Sequence, residues 1–241
     1  MKNNIIKYLA AIALMAVLIT SSALATPTLT IWDDGGTSSM TLATPDGIAT
    51  YANNVFDAGN WSIVITTAET KPAIGSALSP VMDINVQATS LGTSGHNLHF
   101  SWSDDAFGPF NGSMAAILTG HIVTGNGAGV QYNTYYNAGA GVWNTPTAPN
   151  SNWTLLTVMG TMPPPTYITT QTGALNQPSF GLDQYVTLVS SPGGSYSVDA
   201  SLAGNGGEGF PRGVPDGGNT LLLLGFVLVV FGLIRLRLAN A

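Results

Sequence analysis

The chain has 241 residues and no cysteine, and only 7% of it is Asp, Glu, Lys or Arg, against roughly 25% in an average globular protein. That length suits one domain once targeting segments are set aside, and the lack of cysteine excludes disulfides, thiol nucleophiles, zinc–thiolate sites and iron–sulfur clusters together. Between Thr26 and Gly213 the basic residues are Lys71 and Arg212 alone, against eleven acids, so the body cannot grip a phosphate backbone and nucleic acid is excluded as a partner.

Residues 1–25 read as a signal peptide. Lys2 and Lys7 give a positive start, Leu9 to Ile19 an apolar helical run, and Ala23-Leu24-Ala25 a small-x-small site. Signal peptidase is the expected partner here, cutting between Ala25 and Thr26, so that the mature chain begins outside the cytoplasm.

From residue 26 to 202 the dominant period is two. Trp61, Ile63 and Ile65 alternate with Ser62, Val64 and Thr66; Met82, Ile84, Val86 and Ala88 alternate with Asp83, Asn85 and Gln87. Leu98, Phe100 and Trp102 alternate with His99, Ser101 and Ser103, and Tyr196, Val198, Ala200 and Leu202 with Ser197, Asp199 and Ser201. Each pattern fits a strand with one buried and one wet face. Further strands are expected at Leu29–Trp32, Met40–Thr44, Ala115–Leu118, Val130–Tyr136, Trp153–Val158, Tyr167–Thr170 and Tyr185–Val189, separated by turn clusters such as Pro45-Asp46-Gly47 and Ser191-Pro192-Gly193-Gly194. About ten short strands without a helix predict an all-β fold, an antiparallel β-sandwich of jelly-roll-like type. Residues 203–213, rich in glycine and proline, read as a linker.

Within this body the candidate sites are few. Asp33-Asp34 and Asp104-Asp105 each follow an expected strand, which puts paired carboxylates in turns; oxygen ligands of that kind suit calcium, the one cofactor the sequence suggests. The competing reading is that of turn aspartates bonding their own backbone. The same four acids would serve a polysaccharide hydrolase only if they faced one another across a cleft. His96 and His99, three apart on a strand, are expected on opposite faces and so do not pair on one metal, and His121 lies elsewhere. Trp61 and Trp102 are in register with apolar neighbours and are expected in the core. Trp143, in a Gly/Pro-rich stretch, is expected in a loop, where with Tyr135 and Tyr136 it would stack on sugar rings. No nucleophile elbow, nucleotide loop or cofactor signature occurs, so no catalytic residue is assigned and a non-enzymatic structural or adhesive role is expected, with a carbohydrate-binding module as the alternative.

Residues 214–241 hold three features in sequence. Val214-Pro215-Asp216-Gly217-Gly218 leads into an uncharged stretch through Ile234, closed by Arg235 and Arg237. As a helix the stretch from Gly217 to Ile234 reaches about 27 Å, close to the roughly 30 Å apolar core of a bilayer, and the arginines act as a membrane stop that keeps the C-terminus cytoplasmic and the body outside. This order resembles the PEP-CTERM class of sorting signals, and most closely its VPDSG-CTERM variant, with Gly217 in place of the usual serine. The resemblance implies processing by an exosortase-like transpeptidase and delivery of the body to the cell envelope or to extracellular polysaccharide.

Overall fold

The computed structural model describes residues 26–35, 38–92, 95–123, 128–139 and 141–204, with only the backbone of Ile65. The expected signal helix, most of the linker, the sorting motif and the apolar span lie outside the described residues. No helix among the described residues is long and apolar enough to cross a membrane.

Among the described residues there are twelve strands: β1 (Thr28–Asp33), β2 (Ser39–Ala43), β3 (Ile48–Phe56), β4 (Trp61–Glu69), β5 (Val81–Ser90), β6 (Leu98–Phe107), β7 (Phe110–Ile122), β8 (Gly129–Asn137), β9 (Thr154–Met162), β10 (Thr166–Gln177), β11 (Phe180–Val189) and β12 (Ser195–Gly204). The one helical element among them is a 3-10 turn at Asp57–Gly59. Every ladder is antiparallel, and the strands make two sheets of six, in the orders β2-β1-β6-β11-β8-β9 and β10-β7-β12-β5-β4-β3. Each step from β5 to β8, and each from β9 to β12, passes from one sheet to the other. The result is an all-β antiparallel sandwich.

Side-chain alternation sets the layers. Leu29 and Ile31 of β1, Leu98, Phe100 and Trp102 of β6 and Val186 and Leu188 of β11 face inward from the first sheet; Ile63, Met82, Ile84, Val86, Leu118, Val198 and Leu202 meet them from the second, all essentially sealed from solvent. Each such side chain contributes about 1.5–3 kcal/mol by leaving water. Trp61 and Trp102 are in this core as expected, and each finds a carbonyl for its indole N–H: His96 O at 3.0 Å and Glu69 O at 3.0 Å. A polar clasp crosses the middle. Gln184 Nε2 donates to the Tyr132 hydroxyl of its own sheet at 2.6 Å and reaches Met82 O and Ala200 O of the other at 3.3 Å each.

Two expectations change at the strand ends. β3 joins β4 over Ile48–Phe56, a stretch not expected as strand, and β6 runs on to Phe107. Asp104 and Asp105 therefore lie in a strand rather than in the turn after one, because the ladder to β11 continues through the Leu182–Asp104 pair.

Candidate functional site

β6 spans the sandwich, and the two aspartate pairs sit at its opposite ends. At its start, β1 finishes in Asp33, the 3-10 turn supplies Asp57, and the residues leading into β6 supply His96. Asp33 and Asp57 are 1% and 2% exposed, whereas the His96 side chain is 35% exposed, so two carboxylates lie beneath a half-open imidazole. His96 Nδ1 is 3.3 Å from Asp57 Oδ2 and 3.6 Å from Asp33 Oδ2, and these three atoms lie within 4.8 Å of one another. The remaining bonds orient the group. Asp33 Oδ1 accepts the Ser38 N–H at 2.8 Å and Asp57 Oδ2 accepts Asn60 Nδ2 at 3.0 Å, while the His96 carbonyl is held by Trp61. Asp57 and Ala58 have φ of 51° and 49°, a left-handed backbone that side chains other than glycine adopt at a cost.

Asp34 does not join this cluster. Its two oxygens accept the Asn97 N–H and the Asn97 Nδ2, each at 2.9 Å, which fixes the loop next to His96. His99, on β6 itself, is not part of this cluster. It stacks on Trp32 at 5.2 Å and on Tyr185 at 5.7 Å, bonded through Nδ1 to the Tyr185 hydroxyl at 2.9 Å. Burial lowers its pKa, with Asp34 and Asp33 pulling the other way.

At the far end of β6, Asp104 is fully buried and meets the cation of Lys71, Nζ to Oδ2 at 2.8 Å. Its carboxylate also accepts the Thr70 hydroxyl at 2.9 Å and the Asp105 N–H at 2.7 Å, and the Lys71 ammonium bonds the Asp105 carbonyl and lies 4.1 Å from the Phe107 ring centroid. Burial pushes the Asp104 carboxyl up from its ordinary value, and the Lys71 charge with these donors works against it. The calcium expected at Asp104 and Asp105 thus meets a lysine already in the cation's place. The four aspartates of the hydrolase reading stand at opposite ends of one strand and not across a cleft.

The expected aromatic platform is rearranged. Tyr135 and Tyr136 are neighbours on β8 and face opposite ways: Tyr136 packs against the core, while Tyr135 meets Tyr185 edge-on at 6.4 Å. Trp143 does stand in a loop, the long β8–β9 connection, where its ring meets Trp153 at 6.3 Å in a T-shape. Trp143 N–H donates to Ser103 Oγ at 2.8 Å and its indole N–H to Thr147 O at 2.8 Å, so the loop is tied to β6 and to itself. Both tryptophans are only 8% exposed, so the open stacking face expected at Trp143 is largely buried; their edges line a cleft of about 470 Å3 together with Asn137, Asn144, Asn150 and Asn152. It is lined by neutral residues throughout.

Burial pushes two further carboxyls up toward neutral pH. Asp183 on β11, sealed from solvent, is pushed up to about 7 by burial, with only the Ser101 hydroxyl, 2.5 Å from Oδ1, favouring its ionised form. Asp83 on β5 is pushed up to about 7 by burial and by the charges of Asp199 and Glu69. Sequence reasoning passed over Asp57, Lys71 and Asp183. Lys71 alone left a signal, as one of two cations among eleven acids in the body.

Fold and geometry define a two-sheet antiparallel sandwich with a carboxylate–imidazole cluster at one end and a neutral aromatic cleft near the other. No protein-family model matches the chain, and no curated protein matches it in sequence. Among solved structures it is similar to the K1 cleaved adhesin domain of Lys-gingipain from Porphyromonas gingivalis W83, at 15% identity over 67% of this chain and 92% of that one, with a TM-score of 0.34. It is also similar to TmCBM61, solved with β-1,4-galactotriose, at 8% identity over 73% and 88% of the two chains and a TM-score of 0.30. A carbohydrate-binding module from the β-sandwich superfamily matches at 15% identity over 73% and 72%, with a TM-score of 0.32. Likenesses of this degree carry no argument about ligand or activity.

Proposed function

We propose that the chain is an exported envelope protein whose tail delivers a non-enzymatic β-sandwich, structural or adhesive in role, to the cell surface or its polysaccharide matrix. The observation that carries this reading is the order Val214–Gly218, apolar stretch, Arg235 and Arg237, which agrees in orientation with the signal peptide at the other end. In this reading signal peptidase releases the N-terminus and the C-terminal helix holds the body on the outer face of the inner membrane. An exosortase-like transpeptidase then acts at the VPDGG motif. The passage of successive strands between sheets supports a jelly-roll-like form of the sandwich. Cell fractionation tests the sorting step: the full chain is expected in the surface fraction, and a variant carrying Pro215→Ala and Asp216→Ala in the inner membrane. Equal distribution of the two would overturn it.

A second reading is favoured by the cleft. A cleft lined by asparagine amides and the edges of two tryptophans, with no charge, suits a neutral saccharide, whose hydroxyls pair with amides and whose apolar carbons meet the indole edges. The adhesive role then consists of holding neutral polysaccharide. Binding to a panel of neutral glycans, with and without chelator, is expected for the wild type and reduced at least about tenfold in Trp143→Ala. No binding in either condition would remove this reading and leave the sorting step untouched.

A further inference from the structure

The cluster at the start of β6 turns a buried carboxylate oxygen toward a histidine nitrogen that a second buried carboxylate also faces. Asp33 Oδ2 is buried without a hydrogen-bond partner and points at His96 Nδ1, which also faces Asp57 Oδ2. One ring nitrogen carries at most one hydrogen, and one hydrogen cannot serve two carboxylate oxygens well. Two buried carboxylate oxygens turned to one imidazole nitrogen form a donor set that a small divalent cation completes.

We propose that Asp33, Asp57 and His96 bind one divalent transition-metal ion of the zinc class, tying together the end of β1, the 3-10 turn and the approach to β6. Metal–ligand bonds of about 2.0–2.2 Å put neighbouring ligand atoms roughly 3–3.5 Å apart, and the two separations at His96 Nδ1 are 3.3 and 3.6 Å. Two carboxylates and an imidazole nitrogen make a ligand set suited to zinc or manganese. Calcium instead takes six to eight oxygens. Three protein ligands leave a fourth position open to water.

The surroundings hold these ligands in place. Asn60 fixes Asp57, the Ser38 N–H fixes Asp33, and Trp61 and Asp34 both hold the peptide that joins His96 to Asn97. Gly35 lies directly against the site: a Cβ there would overlap the His96 ring and stand 2.7 Å from Asp33 Oδ2, so the turn approaches as closely as it does only because it has no side chain. Such outer support is what sets metal affinity in built sites. The cluster is roughly 20 Å from the tryptophan cleft, counting from His96 to Ser103 along β6, so the two can be tested separately.

The test uses the full chain, purified in detergent, stripped with chelator and titrated with zinc, manganese and calcium chloride. One equivalent of zinc is expected, with a rise in Tm that grows with zinc concentration. His96→Gln and Asp57→Asn are each expected to weaken binding at least about tenfold, while His121→Gln, at an exposed histidine elsewhere, leaves it unchanged. Cobalt provides a spectroscopic readout: its visible absorption intensifies on entering the site and does so far less in His96→Gln. Should Asp57→Asn fail to fold, His96→Gln, whose side chain is half-open, still decides the matter. Failure to take up a stoichiometric transition metal, equal uptake by the wild type and His96→Gln, or tighter binding of calcium than of zinc would each overturn the assignment. Loss of glycan binding does not bear on it.

Discussion

Asp33-Asp34 and Asp104-Asp105 are the same dipeptide at the end of the same kind of apolar strand, and the fold uses them in different ways. Asp104 is sealed at one end of β6 with a cation from its own chain, Lys71, and two further donors. Asp33, as deeply buried at the other end, has one oxygen on a backbone N–H and the other turned to a histidine that a second carboxylate also faces. Asp183, opposite Ser103 on the neighbouring strand, has neither, and burial pushes its carboxyl up to about 7. A buried carboxyl needs its charge matched or removed, and which of these happens is decided by what other segments bring to it.

Removing the matched cation should have the largest effect. Lys71→Met strips the buried Asp104 carboxyl of its cation and leaves it only the Thr70 and Asp105 donors, and a loss of about 3–5 kcal/mol is expected by urea unfolding at pH 7. If the loss is below 1 kcal/mol, the Asp104 end is no better compensated than the Asp33 end and the contrast fails.

The proton-keeping carboxyl predicts a pH dependence. The folded chain holds the Asp183 proton up to about pH 7, while the unfolded chain releases it near the ordinary value of 3.8. The stabilisation linked to this proton is therefore full below about pH 4 and is lost as pH rises through 7. Asp183→Asn, permanently neutral, should flatten that loss and exceed the wild type by on the order of 3 kcal/mol at pH 8, with little difference at pH 4. Asp83 titrates in the same window, so Asp83→Asn measured alongside separates the two. A wild type with equal stability at pH 4 and pH 8 would contradict this account of Asp183.

Smaller effects distinguish supporting bonds. Thr70→Val removes the buried hydroxyl donor to Asp104 and should cost about 1–2 kcal/mol in chemical denaturation. Asp34→Ala removes two bonds to Asn97 on an exposed turn and should cost about 0.5–1 kcal/mol. A larger cost at Asp34 than at Thr70 would reverse the proposed ranking of the two ends.

The strands were legible because their alternation is sharp: Met82 to Ala88 and Tyr196 to Leu202 face the core as the period of two predicts. β3 was hidden because Ile48–Phe56 mixes Asn53-Asn54 with an exposed Ile48 and Val55, so its alternation is blurred. The aspartates at the end of β6 looked like turn residues because polarity there marks a buried ion pair and not solvent. Asp57 was illegible for another reason: it comes from a turn between β3 and β4, and only the tertiary fold brings it to His96. Trp143 was legible as a loop residue, but its partner Trp153 and the asparagine rim depend on how that loop closes.

The proposed function requires that the sandwich leave its apolar C-terminal stretch behind when it reaches the surface. Mass spectrometry of the C-terminus of protein recovered from the cell surface tests that most directly. The account predicts a mature start at Thr26 and a C-terminus at or beside Val214–Gly218, with the apolar stretch and Arg235 and Arg237 gone. A surface protein intact through Ala241 would contradict it and make the tail a permanent anchor.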